Sequence, residues 1–422
     1  MLQTTERETI YQRAAYLLTV LFFMSFYIFE TKTWGSYILF LLGGAIFALG
    51  LLKQRSLRPI RFGMFHVFIL VFAAYILLTA LWAWKPVYAI EKASTMIKIL
   101  LVMSMIYWYY VQEDDLFRLI KLVMWAAYGI VFYAYAYYGA HHILMKVIWG
   151  SRIENTFTNA NSIGMLAAFA IMINVYTVIY DRIRPWALLM LPTLVVILAT
   201  GSRKAFAILI FGIAMILFFH LTVNKTIWKM MLYVVFLMIG MLVVLWLISI
   251  IPVFDGIWSR VEGFLSLLTG KGEVDHSTWI RQEYIRTGLA QFVETPLFGM
   301  GIGNPRILAF RDYGTDCYLH NNFAELLAGG GIVGFVLYYA MFGYTLFYFL
   351  KYRRFGDKNT AFCLTMLVLL IILDYAAVSY YYKSTYFYLM IFFLQARKLK
   401  QQYGRKANES ETTASGGDTV SV

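Results

Sequence analysis

The sequence predicts an all-α, polytopic membrane protein with about twelve transmembrane helices and one long extracytoplasmic loop carrying short helices. Three observations predict it. Of the 422 residues 61% are hydrophobic and only 14% charged, whereas soluble chains carry roughly a quarter charged residues. The apolar residues gather in runs of roughly 17–25, the length a hydrocarbon core of about 30 Å requires of a helix. The connections between runs are short, except for a polar stretch at 252–319.

The runs fall at 12–29, 34–52, 64–82, 95–111, 117–138, 162–180, 186–200, 205–221, 230–251, 322–350, 360–378 and 384–396. The polar start "MLQTTERETIYQR" leads into an ordinary apolar run without a small-residue cleavage site, so no cleavable signal is expected. Basic residues set the orientation. With a cytoplasmic N-terminus, "KQRSLRPIR" (53–61), "DRIRP" (181–185), "KYRRFGDK" (351–358) and "RKLKQQYGRK" (397–406) all lie inside, with most of the 36 Lys and Arg. Both termini are therefore expected in the cytoplasm and the long loop outside. The net charge of +13 punctuates apolar runs instead of covering a soluble face, which argues against a nucleic-acid partner. Cys317 and Cys363 fall at opposite ends of their runs, so neither a disulfide nor a cysteine metal cluster is expected. Residues 1–400 read as one membrane domain. The tail, 401–422, ends in the polar, small-residue stretch "ANESETTASGGDTVSV" and is expected to be disordered.

Within the loop, "STWIRQEYIRTGLAQFVETP" has helical spacing. Ser277 and Thr278 are candidate N-caps, Pro296 is the stop, and Ile285, Leu289, Phe292 and Val293 form an apolar stripe opposed by Arg281, Glu283 and Arg286. A surface-lying amphipathic helix explains the pattern as well as a binding element does. "PLFGMGIGN" follows, with Gly299, Gly301 and Gly303 able to expose backbone N–H groups; no βαβ pattern surrounds it, which argues against a dinucleotide site. Arg203 and Lys204 stand in the external turn "TGSRKAF", against the positive-inside tendency. Arginine's planar fork suits phosphate oxygens, and a lipid-headgroup anchor is the plainer alternative. In "GSRIENTFTNANSIGM" (150–165), Asn159 and Asn161 either bind sugar hydroxyls or cap the next helix, with Arg152 just ahead.

"YLHNNFAELLAGGGIVG" (318–334) closes the loop and opens the next run. Asn321 or Asn322 can cap that helix, and Asn322 with Glu325 has capping-box spacing. The helix dipole then favours a neutral His320, able to take a proton from a hydroxyl. Gly330-x-x-x-Gly334 would let a neighbouring helix approach closely and hold the histidine on a rigid element. Asp374, inside the run at 360–378, must find a partner in the bundle, most simply as a lock between helices.

The same stretch resembles the signature of the O-antigen ligases and polysaccharide polymerases: His320-Asn321, nine residues, Gly331, two residues, Gly334. "TGSRKAF" is similar to that family's arginine-bearing turn, "WIRQEYIRTGLAQFVETPLFGMGIGN" to its arginine-led loop helix, and "RIENTFTNAN" to a degraded form of its Asn-rich motif. The resemblance implies a metal-independent, inverting glycosyltransferase of polysaccharide or lipopolysaccharide biosynthesis, needing no cofactor. Its partners would be membrane lipids, an undecaprenyl-diphosphate-linked glycan donor, and an acceptor hydroxyl on lipid A core or another lipid-linked glycan. The reaction would occur on the outer face of the cytoplasmic membrane. By position, His320 would be the general base, and Arg203 and Arg281 would hold the leaving diphosphate. Asn321, Lys204, Arg286, Arg260, Arg152 and Asn161 would line the substrates. The competing reading is a transporter or flippase of lipid-linked oligosaccharides, which usually shows two related halves and helices broken at the midplane.

Overall fold

A computed structural model of the chain describes residues 2–30, 32, 34–54, 62–113, 115–154, 157–222, 225–250, 276–352 and 357–415, and among these every regular element is helical. In chain order the helices are α1 (Leu2–Ile28), α2 (Gly35–Gln54), α3 (Met64–Thr79), α4 (Pro86–Tyr110), α5 (Leu116–Tyr138), α6 (Ala140–Ile148) and α7 (Ala160–Tyr180). A 3-10 turn at Pro185–Leu189 leads into α8 (Met190–Thr200), followed by α9 (Arg203–Thr222) and α10 (Ile227–Ile250). The rest are α11 (His276–Glu294), α12 (Arg306–Tyr313), α13 (Asn322–Tyr352), α14 (Lys358–Asp374) and α15 (Lys383–Ser415).

A helix overlaps each of the twelve apolar runs. Among the described residues, five are long and apolar enough on their own to cross a bilayer, at 35–53, 116–138, 160–180, 203–222 and 322–352. These make the chain a membrane protein. Several boundaries differ from those the apolar runs predict. α4 starts at Pro86 instead of 95, because proline's fixed φ suits a first helical turn and the polar residues behind it are good helix formers. α14 stops at Asp374, short of 378. α6 and α12, too short for the apolar pattern to show, are bounded by Gly139 (φ 85°) and Gly314 (φ 71°). α15 runs on to Ser415, into the polar tail.

α7 sits at the centre, packed on α5, α8 and α9. Ala160, Gly164, Ala167, Ala168 and Ala170 are all buried and let those neighbours approach closely. The most apolar stretches of α2 and α9 are only 28% and 33% buried. Their remaining side chains form the apolar outer surface that a bilayer would cover.

Gly330 and Gly334 pack on α3, as the spacing predicts, with a Cβ on Gly334 only 2.9 Å from the Tyr75 ring, but the glycine run also takes a second partner. At Gly331 (φ 60°, ψ −165°) the backbone leaves the helical region and α13 breaks. The loop "PLFGMGIGN" feeds into the gap. Ile332 N–H donates to Pro296 O at 2.8 Å, Val333 N–H to Leu297 O at 3.3 Å, and Met300 N–H to Ala328 O at 2.9 Å. A Cβ on Gly331 would stand 2.3 Å from Leu297 O, and one on Gly299 2.5 Å from the Gly329 carbonyl carbon. The two glycine runs thus fit backbone to backbone, and the loop supplies partners for groups that the broken helix releases. α3 reaches the same place through side chains: Tyr75 Oη donates to Gly330 O at 2.6 Å, and Thr79 Oγ1 accepts from Ile302 N–H at 3.2 Å.

Candidate functional site

The loop returns to the bundle at Leu319–Asn321, and three bonds fix how it does so. Leu319 N–H donates to the buried Glu325 carboxylate at 2.9 Å. Asn321 Oδ1 accepts from Ala324 N–H at 2.9 Å, which makes Asn321 the N-cap of α13. Asn321 Nδ2 donates to Tyr375 O at 3.0 Å. Between these anchors His320 takes φ +56°, the one non-glycine among the described residues with positive φ, a conformation that persists only where its surroundings impose it. The capping box expected of Asn322 and Glu325 is not formed, because Glu325 faces back to Leu319.

Asn322 has a heavier duty. Its Oδ1 accepts from Ser379 N–H and Tyr380 N–H at 2.9 and 3.1 Å, and its Nδ2 donates to Tyr339 Oη and Asp374 Oδ2 at 3.0 and 3.2 Å. Asp374 also accepts from Tyr339 Oη at 2.8 Å and from Ser379 Oγ. This buried network ties α13 to the linker between α14 and α15, so Asp374 is the helix lock that its place in an apolar run suggested.

The cations approach the same linker from two other segments. Lys204, in the first turn of α9, donates Nζ to Ala376 O. Arg203, beside it, reaches Thr278 Oγ1 at 3.4 Å, in the first turn of α11. One turn along α11 lies Arg281, close enough that its charge acts on both Lys204 and His320. Tyr284 stacks on the His320 ring at 6.0 Å between centroids and Tyr318 packs against it at 4.4 Å. Burial, then the positive charges of Arg281 and Lys204, push the His320 imidazole down to about 4. It is neutral at pH 7, as the sequence predicts, but burial is the leading cause and not the helix dipole.

Arg152 and Asn161 form a separate pair, 2.8 Å apart. Asn159, not Asn161, caps α7, accepting from Asn161 N–H at 2.8 Å. Ile153 N–H donates to Ala199 O at 3.0 Å, which sets this segment beside the turn bearing Arg203. Glu154 is engaged by Lys146 at 2.6 Å and His142 at 3.2 Å, and these partners hold its carboxyl down at about 2. Arg286 is exposed and lies about 140° round α11 from Arg281, so the helix turns it away from the cluster. Arg260 falls outside the described residues.

Chemically, the arrangement offers a neutral imidazole able to accept a proton, guanidinium groups suited to phosphate oxygens, and aromatic walls. The sequence motifs point to His320, Arg203 and Arg281 as candidates. They do not reveal Glu325, Thr278, Tyr284 or the carbonyls of Tyr375 and Ala376. The carbonyls carry no side-chain signal, and the rest become neighbours only when the loop folds back.

Residues 187–339 match the O-antigen ligase family model. The matched stretch contains His320, Asn321, Arg203, Lys204, Arg281, Arg286 and Arg260, and leaves Arg152 and Asn161 outside it. No curated protein matches the chain at significant similarity.

Proposed function

We propose, from the match of residues 187–339 to the O-antigen ligase family model, that the chain transfers a glycan from a polyprenyl-diphosphate carrier to a sugar hydroxyl. The observation that carries this reading is the convergence of His320, Arg203, Lys204 and Arg281. They come from three segments far apart in sequence: Lys204 reaches Ala376 O, Arg203 reaches Thr278 on the helix that carries Arg281, and Asn321, next to His320, holds Tyr375 O.

In this reading the twelve apolar helices cross the cytoplasmic membrane with both termini inside, and the site opens on the outer face. The acceptor hydroxyl gives its proton to His320 as its oxygen bonds to the anomeric carbon. The bond from that carbon to the carrier breaks on the opposite face, so the configuration inverts. The diphosphate leaves with increased negative charge, which Arg203 and Arg281 stabilise in a water-poor site. No metal is called for.

Charge also links binding to chemistry. Arg281 and Lys204 lower the proton affinity of His320. A bound diphosphate offsets those charges, so His320 becomes a stronger base once the donor is in place. The break in α13 is filled by the 296–303 loop.

The test is to incubate purified protein, in chelator, with a polyprenyl-diphosphate-linked repeat unit and either lipid A core or further donor. Glycan on lipid A core marks a ligase, and a ladder of longer lipid-linked glycans marks a polymerase. Intact donor with every acceptor would contradict the proposal.

A further inference from the structure

A second basic feature lies outside this cluster. Between α1, α2, α4 and the start of α15 is a partly open cavity of about 180 Å³, below the range of about 300–1,000 Å³ usual for a whole drug-sized ligand, so it suits a headgroup and not an entire lipid. Its polar end carries Lys98, Lys383, Ser36 and Thr95, its apolar part includes Phe26 and Phe40, and none of its lining residues is acidic. Lys98 and Lys383 are near enough for their like charges to repel, and the one carboxylate acting on Lys383, Glu30, is itself engaged by Thr158 Oγ1 at 2.7 Å. Among the described residues neither lysine donates a hydrogen bond to a protein acceptor. Lys98 is exposed and Lys383 half-buried, so both ammonium groups can meet an anion that enters beside the apolar walls.

The position of the cavity indicates where that anion would come from. Lys383 is the first residue of α15, Ser36 the second of α2, and Phe26 lies in the last turn of α1. Helix ends therefore gather at the polar end, with apolar side chains deeper. Tyr37 and Leu41, on the neighbouring face of α2, are 76% and 72% exposed, so the cavity opens beside apolar surface that faces the bilayer.

We propose that this cavity binds the phosphate headgroup of a membrane lipid through Lys98 and Lys383, with the lipid tail lying along α2. The inference does not depend on the glycosyltransfer reading. It assigns the two lysines to phosphate oxygens, Ser36 and Thr95 to supporting hydrogen bonds, and Phe26 and Phe40 to the start of the tail.

The experiment is native mass spectrometry of the full-length protein in detergent, titrated separately with undecaprenyl diphosphate, phosphatidylglycerol, phosphatidylcholine and inorganic pyrophosphate. Two variants are compared with the parent: Lys98→Gln with Lys383→Gln, and Lys98→Arg with Lys383→Arg. We expect the paired glutamines to weaken a phosphate-headed lipid by about tenfold or more, the loss of at least one charge-assisted contact, with binding restored by the arginines. Undecaprenyl diphosphate binding above phosphatidylglycerol marks a carrier-lipid site, and the reverse order an ordinary anionic-phospholipid site; both support the proposal. Unchanged lipid binding in the glutamine variant would overturn it. So would pyrophosphate bound as tightly as any lipid, or phosphatidylcholine bound as tightly as both anionic lipids. A glutamine variant that fails to fold leaves the test to the parent and the arginine variant, where anionic lipids must still exceed the other two ligands.

Discussion

Replacing Gly331 by alanine tests the fit between the loop and the broken helix, because three glycines of this chain separate the two effects involved. At Gly314 φ is +71° and nothing stands within 4 Å of an added Cβ, so Gly314→Ala costs only the left-handed backbone, about 1–2 kcal/mol. Gly331 has φ +60° but ψ −165°, a region essentially confined to glycine that costs an alanine no less than the left-handed one, and its Cβ would also meet Leu297 O at 2.3 Å. That contact is with backbone, so relief requires moving the 296–303 loop and stretching its bonds to Ile332 and Val333. Overpacking of this kind adds about 1–3 kcal/mol, for a total of about 2–5 kcal/mol. Gly343 lies in α13 with open space around it, and Gly343→Ala is expected to be neutral or to stabilise by up to about 1 kcal/mol. The assay is thermal unfolding in one detergent, followed by intrinsic fluorescence, with the three variants ranked against the parent. Gly331→Ala must fall furthest, Gly314→Ala less, and Gly343→Ala not at all. A Gly331→Ala variant no less stable than Gly314→Ala would refute the threading of the loop through the break.

Other predictions follow from the site. His320 acts as a base only when neutral, and burial with the nearby cations depresses its pKa to about 4. The pH profile of kcat/KM should therefore rise near 4 and stay flat between 6 and 7, and the limb for kcat should lie higher, because bound diphosphate offsets the nearby cations. Arg281→Gln should move the kcat/KM limb upward, though short of an ordinary histidine, since burial is the larger cause; an unmoved limb would separate Arg281 from His320. Glu325→Ala leaves the Leu319 N–H without its acceptor, at about 1–3 kcal/mol, and should lower kcat more than it raises KM, with Glu325→Gln restoring most of both. Asn322→Ala and Asp374→Ala should each destabilise strongly in detergent unfolding. Combined they should cost less than their sum, because both break one hydrogen-bond network.

The fold class is legible in the sequence because a bilayer demands long apolar runs, and a helix overlaps each run. The loop helix is legible through its apolar stripe and its stop at Pro296, but α11 spans His276–Glu294, so Ser277 and Thr278, the expected N-caps, lie inside its first turn. What the sequence hides is partnership at a distance. Gly330 and Gly334 look like a helix-packing stripe and pack on α3 as one, yet Gly331 beside them breaks the helix for a loop whose own glycines lie some thirty residues earlier. Asn322 and Glu325 have capping-box spacing, yet each is claimed by a stronger partner, Asn322 by the 379–380 backbone and Asp374, Glu325 by Leu319. Arg286 is indistinguishable from Arg281 in composition, and only the turn of α11 separates them.

The most direct test of the proposed chemistry compares the parent with His320→Ala in transfer from a polyprenyl-diphosphate-linked glycan, with Arg203→Lys alongside. Loss of the general base should lower kcat by about 10²–10⁴-fold while donor binding persists. Arg203→Lys, which keeps the charge but loses the planar fork, should lower transfer by about tenfold or more. Full transfer by His320→Ala would contradict the assignment of His320 as the base.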